Sequence, residues 1–114
     1  MLRDEATLLD IDRYARAILS FTENLDRKSF DNDPKTQAAV LYNLSIIGEA
    51  VKRLSPSFCE QHPTIPWSDI AKMRDKVIHH YDRIKLDIIW NTIYQDIPSL
   101  IAAISPLLPD DPSI

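Results

Sequence analysis

Apolar side chains recur along this chain at alternating intervals of three and four, the spacing that lines one face of an α-helix. Leu8, Ile11, Ala15, Ile18, Thr22 and Leu25 make the first such stripe and predict a helix over about Asp4–Asp26. Asp31, Asn32, Asp33 and Pro34 stop the pattern and restart it. Asp33 can cap a new helix, and Pro34 suits a first turn, where its missing N–H is not needed. Val40, Leu44, Ile47, Val51 and Leu54 predict the second helix, over about Pro34–Leu54. Gly48 lies inside it and costs about 1 kcal/mol relative to alanine, which a close approach of another helix would offset. The stretch 55–66 carries three prolines and reads as an ordered connection. A third helix over about Pro66–Tyr81 places Trp67, Ile70, Met73 and Val77 on its buried side. After a break at 82–85, the stripe Leu86, Ile89, Trp90, Ile93, Ile97, Leu100 and Ile104 marks a fourth helix, kinked or restarted at Pro98. From Ser105 the tail is expected to fray. The pattern predicts one all-α domain over residues 1–114, a small up-down bundle of about four main helices.

Composition narrows what such a bundle can do. With one glycine against eight prolines, glycine-rich phosphate loops and tight two-residue hairpins are excluded. The lone Cys59 leaves no internal disulfide and fits a reducing compartment. No apolar run approaches the roughly 20 residues that span a bilayer, and the acidic start does not resemble a signal peptide. A cytoplasmic domain without a membrane partner is the expectation. The formal charge of -4 argues against binding nucleic acid through bulk positive charge. The charge is uneven, however. Residues 72–85 hold five basic side chains (Lys72, Arg74, Lys76, Arg83, Lys85) against Asp75 and Asp82, a local balance of +3 within a chain that is otherwise acidic.

That basic window also holds the reactive side chains. On an ideal helix, turning about 100° per residue, Arg74 and Tyr81 lie nearly aligned, and Asp75 and His79 are neighbours on one face. Arg74 and His79 diverge by about 140°; they converge only through a long reach, a distortion or a second chain. Arginine can hold a phosphate through paired hydrogen bonds, and histidine can move a proton near neutral pH. Together they suffice for metal-independent RNA cleavage, in which a deprotonated 2′-hydroxyl attacks the adjacent phosphate. Asp75 could orient either partner. The same residues also suit a plain solvated helix end. Cys59, His62, His79 and His80 fit no structural zinc spacing, so neither metal nor cofactor is expected. Glu49, mid-helix beside Gly48, reads as a buried or interface polar contact, and His80 as solvent-facing.

Arg74-x4-His79-x-Tyr81 resembles the RxxxxHxY signature of the HepT-like toxins of the HEPN superfamily. The likeness runs through most of the chain. Ile47-Gly48-Glu49-Ala50-Val51-Lys52-Arg53-Leu54-Ser55-Pro56 is similar to that family's IGEAxKRLSP stretch, and Ile65-Pro66-Trp67 through Met73-Arg74 to its IPWxxIxxMR stretch. Ile84, Leu86, Trp90 and Ile97-Pro98-x-Leu100 match its last helix. The resemblance implies a dimer whose motif helices line one composite cleft. It implies the toxin of a type VII-like toxin–antitoxin pair, a metal-independent endoribonuclease with Arg74 and His79 as catalytic residues and Asp75 in support. It further implies a minimal nucleotidyltransferase antitoxin of the MntA kind, which transfers AMP to Tyr81. Adenylylation there would add bulk and negative charge beside Arg74. Two positions depart from the family pattern: Asp75 stands where asparagine commonly follows the arginine, and Lys85 where an aspartate often caps the last helix. The alternatives are a non-catalytic docking partner of the nucleotidyltransferase and a purely structural dimeric bundle.

Overall fold

The computed structural model describes residues 2–110 and is helical throughout them, with short turns between elements. Helix α1 (Arg3–Phe21) buries Thr7, Leu8, Ile11, Ala15 and Ile18, the predicted stripe. It ends five residues earlier than the periodicity suggests. The Thr22 hydroxyl donates to the Ile18 carbonyl at 2.9 Å, and Asn24 turns the chain with a positive φ of 60°, a conformation asparagine tolerates better than most residues. The Tyr94 hydroxyl pins this turn, lying 3.1 Å from the Thr22 carbonyl and 3.0 Å from that of Leu25. A five-residue helix, α2 (Arg27–Asp31), follows, capped by Asp26 accepting from the Ser29 N–H at 2.8 Å. It delivers Phe30 to the core.

Helix α3 (Pro34–Arg53) begins as expected: Asp33 accepts from the Thr36 N–H at 3.0 Å, with Pro34 in the first turn. Within the 55–66 connection lies a short helix, α4 (Pro56–Gln61), capped by Ser55. Helix α5 (Trp67–His80) runs into a 3-10 turn, Tyr81–Arg83. The predicted fourth helix is three pieces: α6 (Leu86–Asn91), a π-helical turn (Thr92–Asp96) and α7 (Ile97–Ile104). Pro98 explains the break. It cannot donate to the carbonyl of Tyr94 and its ring crowds that group, so the wider π turn absorbs the misfit just before it. Lys85 precedes α6 without any side-chain cap, as expected of a residue with no acceptor to offer. A 3-10 turn (Ser105–Leu107) follows α7, and Leu107 and Leu108 pack against the core where fraying was expected. The last four residues of the expected tail lie outside the described residues.

Helix α3 is the central element, packed on α1 along one side and on α5 along the other, while α7 packs chiefly on α1. Leu8, Ile11, Ile18, Phe30, Val40, Ile47, Ile93 and Ile104 are fully enclosed. No helix among the described residues is long and apolar enough to cross a membrane.

The junction of α3 and α4 is tied to the start of α1. Ser55 donates its N–H and its hydroxyl to the Asp4 carboxylate at 2.9 and 2.6 Å. The Ser55 hydroxyl, followed by the Ser55 amide, holds the Asp4 carboxyl below the ordinary value of 3.8, against a smaller opposing effect of burial. The unfolded chain therefore binds more protons just below that value. The stability contributed is present above it and is lost as pH falls through the lower folded pKa. Asp4→Asn should cost about 1 kcal/mol at neutral pH. It should also flatten part of the acid limb when melting temperature is followed below about pH 4.

Candidate active site

Helices α3 and α5 run antiparallel, and at one point their backbones almost touch. A Cβ built on Gly48 would overlap the Arg74 Cβ and stand 3.1 Å from the Ile70 carbonyl oxygen and 3.2 Å from the Arg74 Cα. The glycine in the middle of α3 is thus accounted for: it lets α5 approach at the turn that carries Arg74.

Close approach puts the neighbours of Gly48 within reach of that arginine. Glu49 Oε2 lies 3.0 Å from Arg74 Nε, and Asp75 Oδ1 lies 3.1 Å from Arg74 Nη1. Lys52, one turn further along α3, donates from Nζ to the same Asp75 oxygen at 2.6 Å. The four side chains form a chain of alternating charge across the two helices. Arg74 is the most enclosed of them, its side chain 30% exposed. The Lys52 ammonium, and after it the Arg74 guanidinium, hold the Asp75 carboxyl below its usual range, so it stays ionised at neutral pH. The negative charge that Asp75 brings is therefore matched by Lys52. With Nε and one Nη1 hydrogen engaged, Arg74 retains its Nη2 edge for a ligand.

The other motif residues stand apart from this cluster. His79 and His80 are exposed at the end of α5, and among the described residues the His79 side chain has no hydrogen-bond or ion-pair partner. Asp75 is engaged with Lys52 and Arg74, and no hydrogen bond joins it to His79. Seven residues apart, Lys72 and His79 share the outer face of α5, with Lys76 beside them, all exposed. Tyr81 lies in the 3-10 turn just past the helix, 53% exposed. It borders a shallow hollow lined by Ala38, Tyr42 and Ser45 of α3 and Val77 and Ile78 of α5. Tyr42 and Ile78 are likewise more than half exposed. The motif face is open, with a charged end at Arg74 and an apolar end at Tyr81. Among the described residues no group of three or more His, Cys, Asp or Glu side chains could hold a metal ion.

Nothing in the linear pattern assigns Lys52 a role, and for Glu49 it gives only a buried or interface polar contact. The signal available was their position one and four residues after a mid-helix glycine, on the side of α3 that the glycine opens to a neighbour.

The family described as ribonuclease HepT-like matches residues 11–107. The chain belongs to that family. Over 105 residues it is 40% identical to a Methanocaldococcus jannaschii protein provisionally named an RNase, covering 92% of this chain and 87% of the relative. It is 44% identical over 93 residues to a probable ribonuclease HepT of Thermococcus cleftensis, with 82% and 84% covered. It is 40% identical over 91 residues to a further provisionally named RNase, from Caldanaerobacter subterraneus subsp. tengcongensis, with 80% and 81% covered. No solved structure matches this chain. The HepT-like match includes α3, α5 and the turn after it, and so the whole of the Glu49–Lys52–Arg74–Asp75 cluster together with His79 and Tyr81.

Proposed function

We propose that this chain is the ribonuclease toxin of a toxin–antitoxin pair, cleaving RNA without a metal through Arg74 and His79. The observation that carries the reading is the placement of Arg74. It is held from two sides by carboxylates at a glycine-enforced helix crossing, with donors left over, while Lys72, Lys76 and an unpartnered histidine stand on the outer face of the same helix. In this reading Arg74 binds the scissile phosphate and stabilises the charge that develops on it. A histidine removes the 2′-hydroxyl proton, the 2′ oxygen bonds to phosphorus, and the bond to the 5′ oxygen breaks. The leaving oxygen takes up a proton, giving a 2′,3′-cyclic phosphate and a 5′-hydroxyl. Because Arg74 and His79 point apart on one helix, the reading places their joint work at a homodimer interface. The exposed apolar hollow of Tyr42, Ile78 and Tyr81, next to the charged cluster, supports that face as the contact between copies. The decisive measurement is incubation of the purified chain with RNA in excess chelator. Products ending in 2′,3′-cyclic phosphate are expected, and intact RNA would overturn the proposal.

Control is assigned to Tyr81. Its exposed phenol is accessible to a partner enzyme. A minimal nucleotidyltransferase antitoxin would join the phenolic oxygen to the α-phosphorus of ATP, releasing pyrophosphate and the phenolic proton. The product carries an added anionic phosphodiester and adenosine on the motif face. Co-expression with the cognate nucleotidyltransferase should add one or more AMP masses and silence cleavage. Tyr81→Phe should abolish both effects; mass gain in that variant would place the acceptor elsewhere. One observation favours a second reading, in which the chain is only a docking partner of that enzyme: within a single chain Arg74 is charge-balanced and His79 unengaged. Absence of chelator-resistant cleavage, with AMP transfer intact, would select it.

A further inference from the structure

On the flank of α5 away from the motif, the bundle does not close. Helix α5 packs on α3 and α7 on α1, and between α5 and α7 remains a cavity of about 370 Å3. That volume lies within the usual range for small-molecule sites. Its floor is made by buried core residues, among them Leu44, Ile47, Ile97 and Leu100, so it enters the core and is more than a surface dimple. One wall is the π-helical turn, which contributes Thr92 and Asp96. The lining is mainly apolar, but the mouth is acidic. Asp69 of α5 and Asp96 both border it, and among the described residues neither has an ion-pair partner. Asp69 sits in the first turn of α5, where the helix dipole favours a carboxylate; Asp96 ends the π turn, immediately before α7.

We infer that this cavity is a binding site for a small amphipathic cation, its apolar body between α5 and α7 and its protonated nitrogen against Asp69 and Asp96. The chemistry follows from the two halves of the lining: enclosed apolar surface takes up a hydrocarbon ring, and two unpaired carboxylates at the rim select a positive charge over a neutral or negative one. The site is distinct from the RNA-cleaving face. Asp69 and Met73 lie on one flank of α5, and Asp75 and His79 on the other. It is nonetheless close to that face through the helix itself, because Met73 in the wall precedes Arg74, and Ile70 in the wall supplies the carbonyl against which Gly48 packs.

Three probes of one shape test it: cyclohexylmethylamine, cyclohexylmethanol and cyclohexanecarboxylate, titrated into the full chain while methyl NMR signals of Met73, Ile97 and Ala103 are followed. The amine should perturb those signals and bind about tenfold more tightly than the alcohol, the scale expected for two half-solvated carboxylates on one ammonium. The carboxylate should bind more weakly than either. The exposed double variant Asp69→Asn, Asp96→Asn should fold normally, keep its affinity for the alcohol and lose the preference for the amine. Equal affinities for the three probes, a preference that survives the double variant, shifts scattered over other surfaces, or no binding at all would each overturn the inference. None of these results depends on whether the chain cleaves RNA.

Discussion

Replacing His79 with alanine should slow RNA cleavage by about 100- to 10,000-fold, the range for a lost proton-transfer group. The melting temperature should be unchanged, because His79 is exposed and bonds to nothing among the described residues. Arg74→Ala should cost about 100- to 1,000-fold, the range for one lost donor to a developing anion. This second variant needs a control, since removing Arg74 also strands Glu49 and loosens Asp75. Both carboxylates are nearly half exposed, 46% each, so water takes the place of the arginine and the expected stability loss is at most about 1 kcal/mol. Arg74→Lys separates charge from shape. A lysine keeps the positive charge but cannot donate to Glu49, Asp75 and a phosphate from one rigid plane. It should therefore recover only part of the rate. His80→Ala should leave the rate near that of the parent chain. Multiple-turnover kinetics in chelator, with melting curves for each variant, checks the set. Full activity in either alanine variant would remove that residue from the catalytic assignment.

The long helices were legible because each has one buried stripe. Leu8–Ile11–Ala15–Ile18 and Val40–Leu44–Ile47–Val51 are enclosed as the three-and-four spacing requires. The short elements were not. Helices α2 and α4 span fewer than two turns, too few for a period to emerge, and only their caps, Asp26 with Ser29 and Ser55 before Pro56, carried the signal. The π turn was hidden for a different reason: Ile93 and Ile97 keep the apolar spacing of an ordinary helix while the backbone between them winds more loosely. Gly48 marks a close approach, but nothing in a linear pattern names the residue on the far side. The partner of Arg74 on α3, Glu49, and the Lys52 that holds Asp75 are both more than 20 positions away and depend on the crossing that the glycine permits. Helix arithmetic did place Arg74 and His79 apart, and the fold does not reconcile them: α5 ends at His80 without turning His79 toward the cluster. What the sequence could not supply is whatever completes that pair, because it lies outside a single chain in the reading proposed here.

The crossing makes Gly48→Ala the most telling substitution that touches no reactive group. Two effects oppose one another. Alanine in a helix interior gains about 1 kcal/mol over glycine. Against this, the new methyl would meet the Arg74 Cβ and Cα and the Ile70 carbonyl oxygen. All three are backbone atoms or fixed directly to the backbone, so no side-chain rotation relieves the clash and α5 must move off α3. Overpacking of this kind costs about 1–3 kcal/mol. Destabilisation should win, by up to about 2 kcal/mol, and Gly48→Val should be worse because its branches add bulk with poorer helix propensity. Activity should fall further than stability does. Moving α5 by about 1 Å shifts Arg74 relative to Glu49, and misplacement on that scale can cost about 100-fold in rate. Thermal melts paired with chelator-resistant cleavage below the melting point separate the two losses. A Gly48→Ala chain that melts higher than the parent and cleaves as fast would mean that α3 and α5 stand further apart, and that the geometry around Arg74 does not depend on their contact.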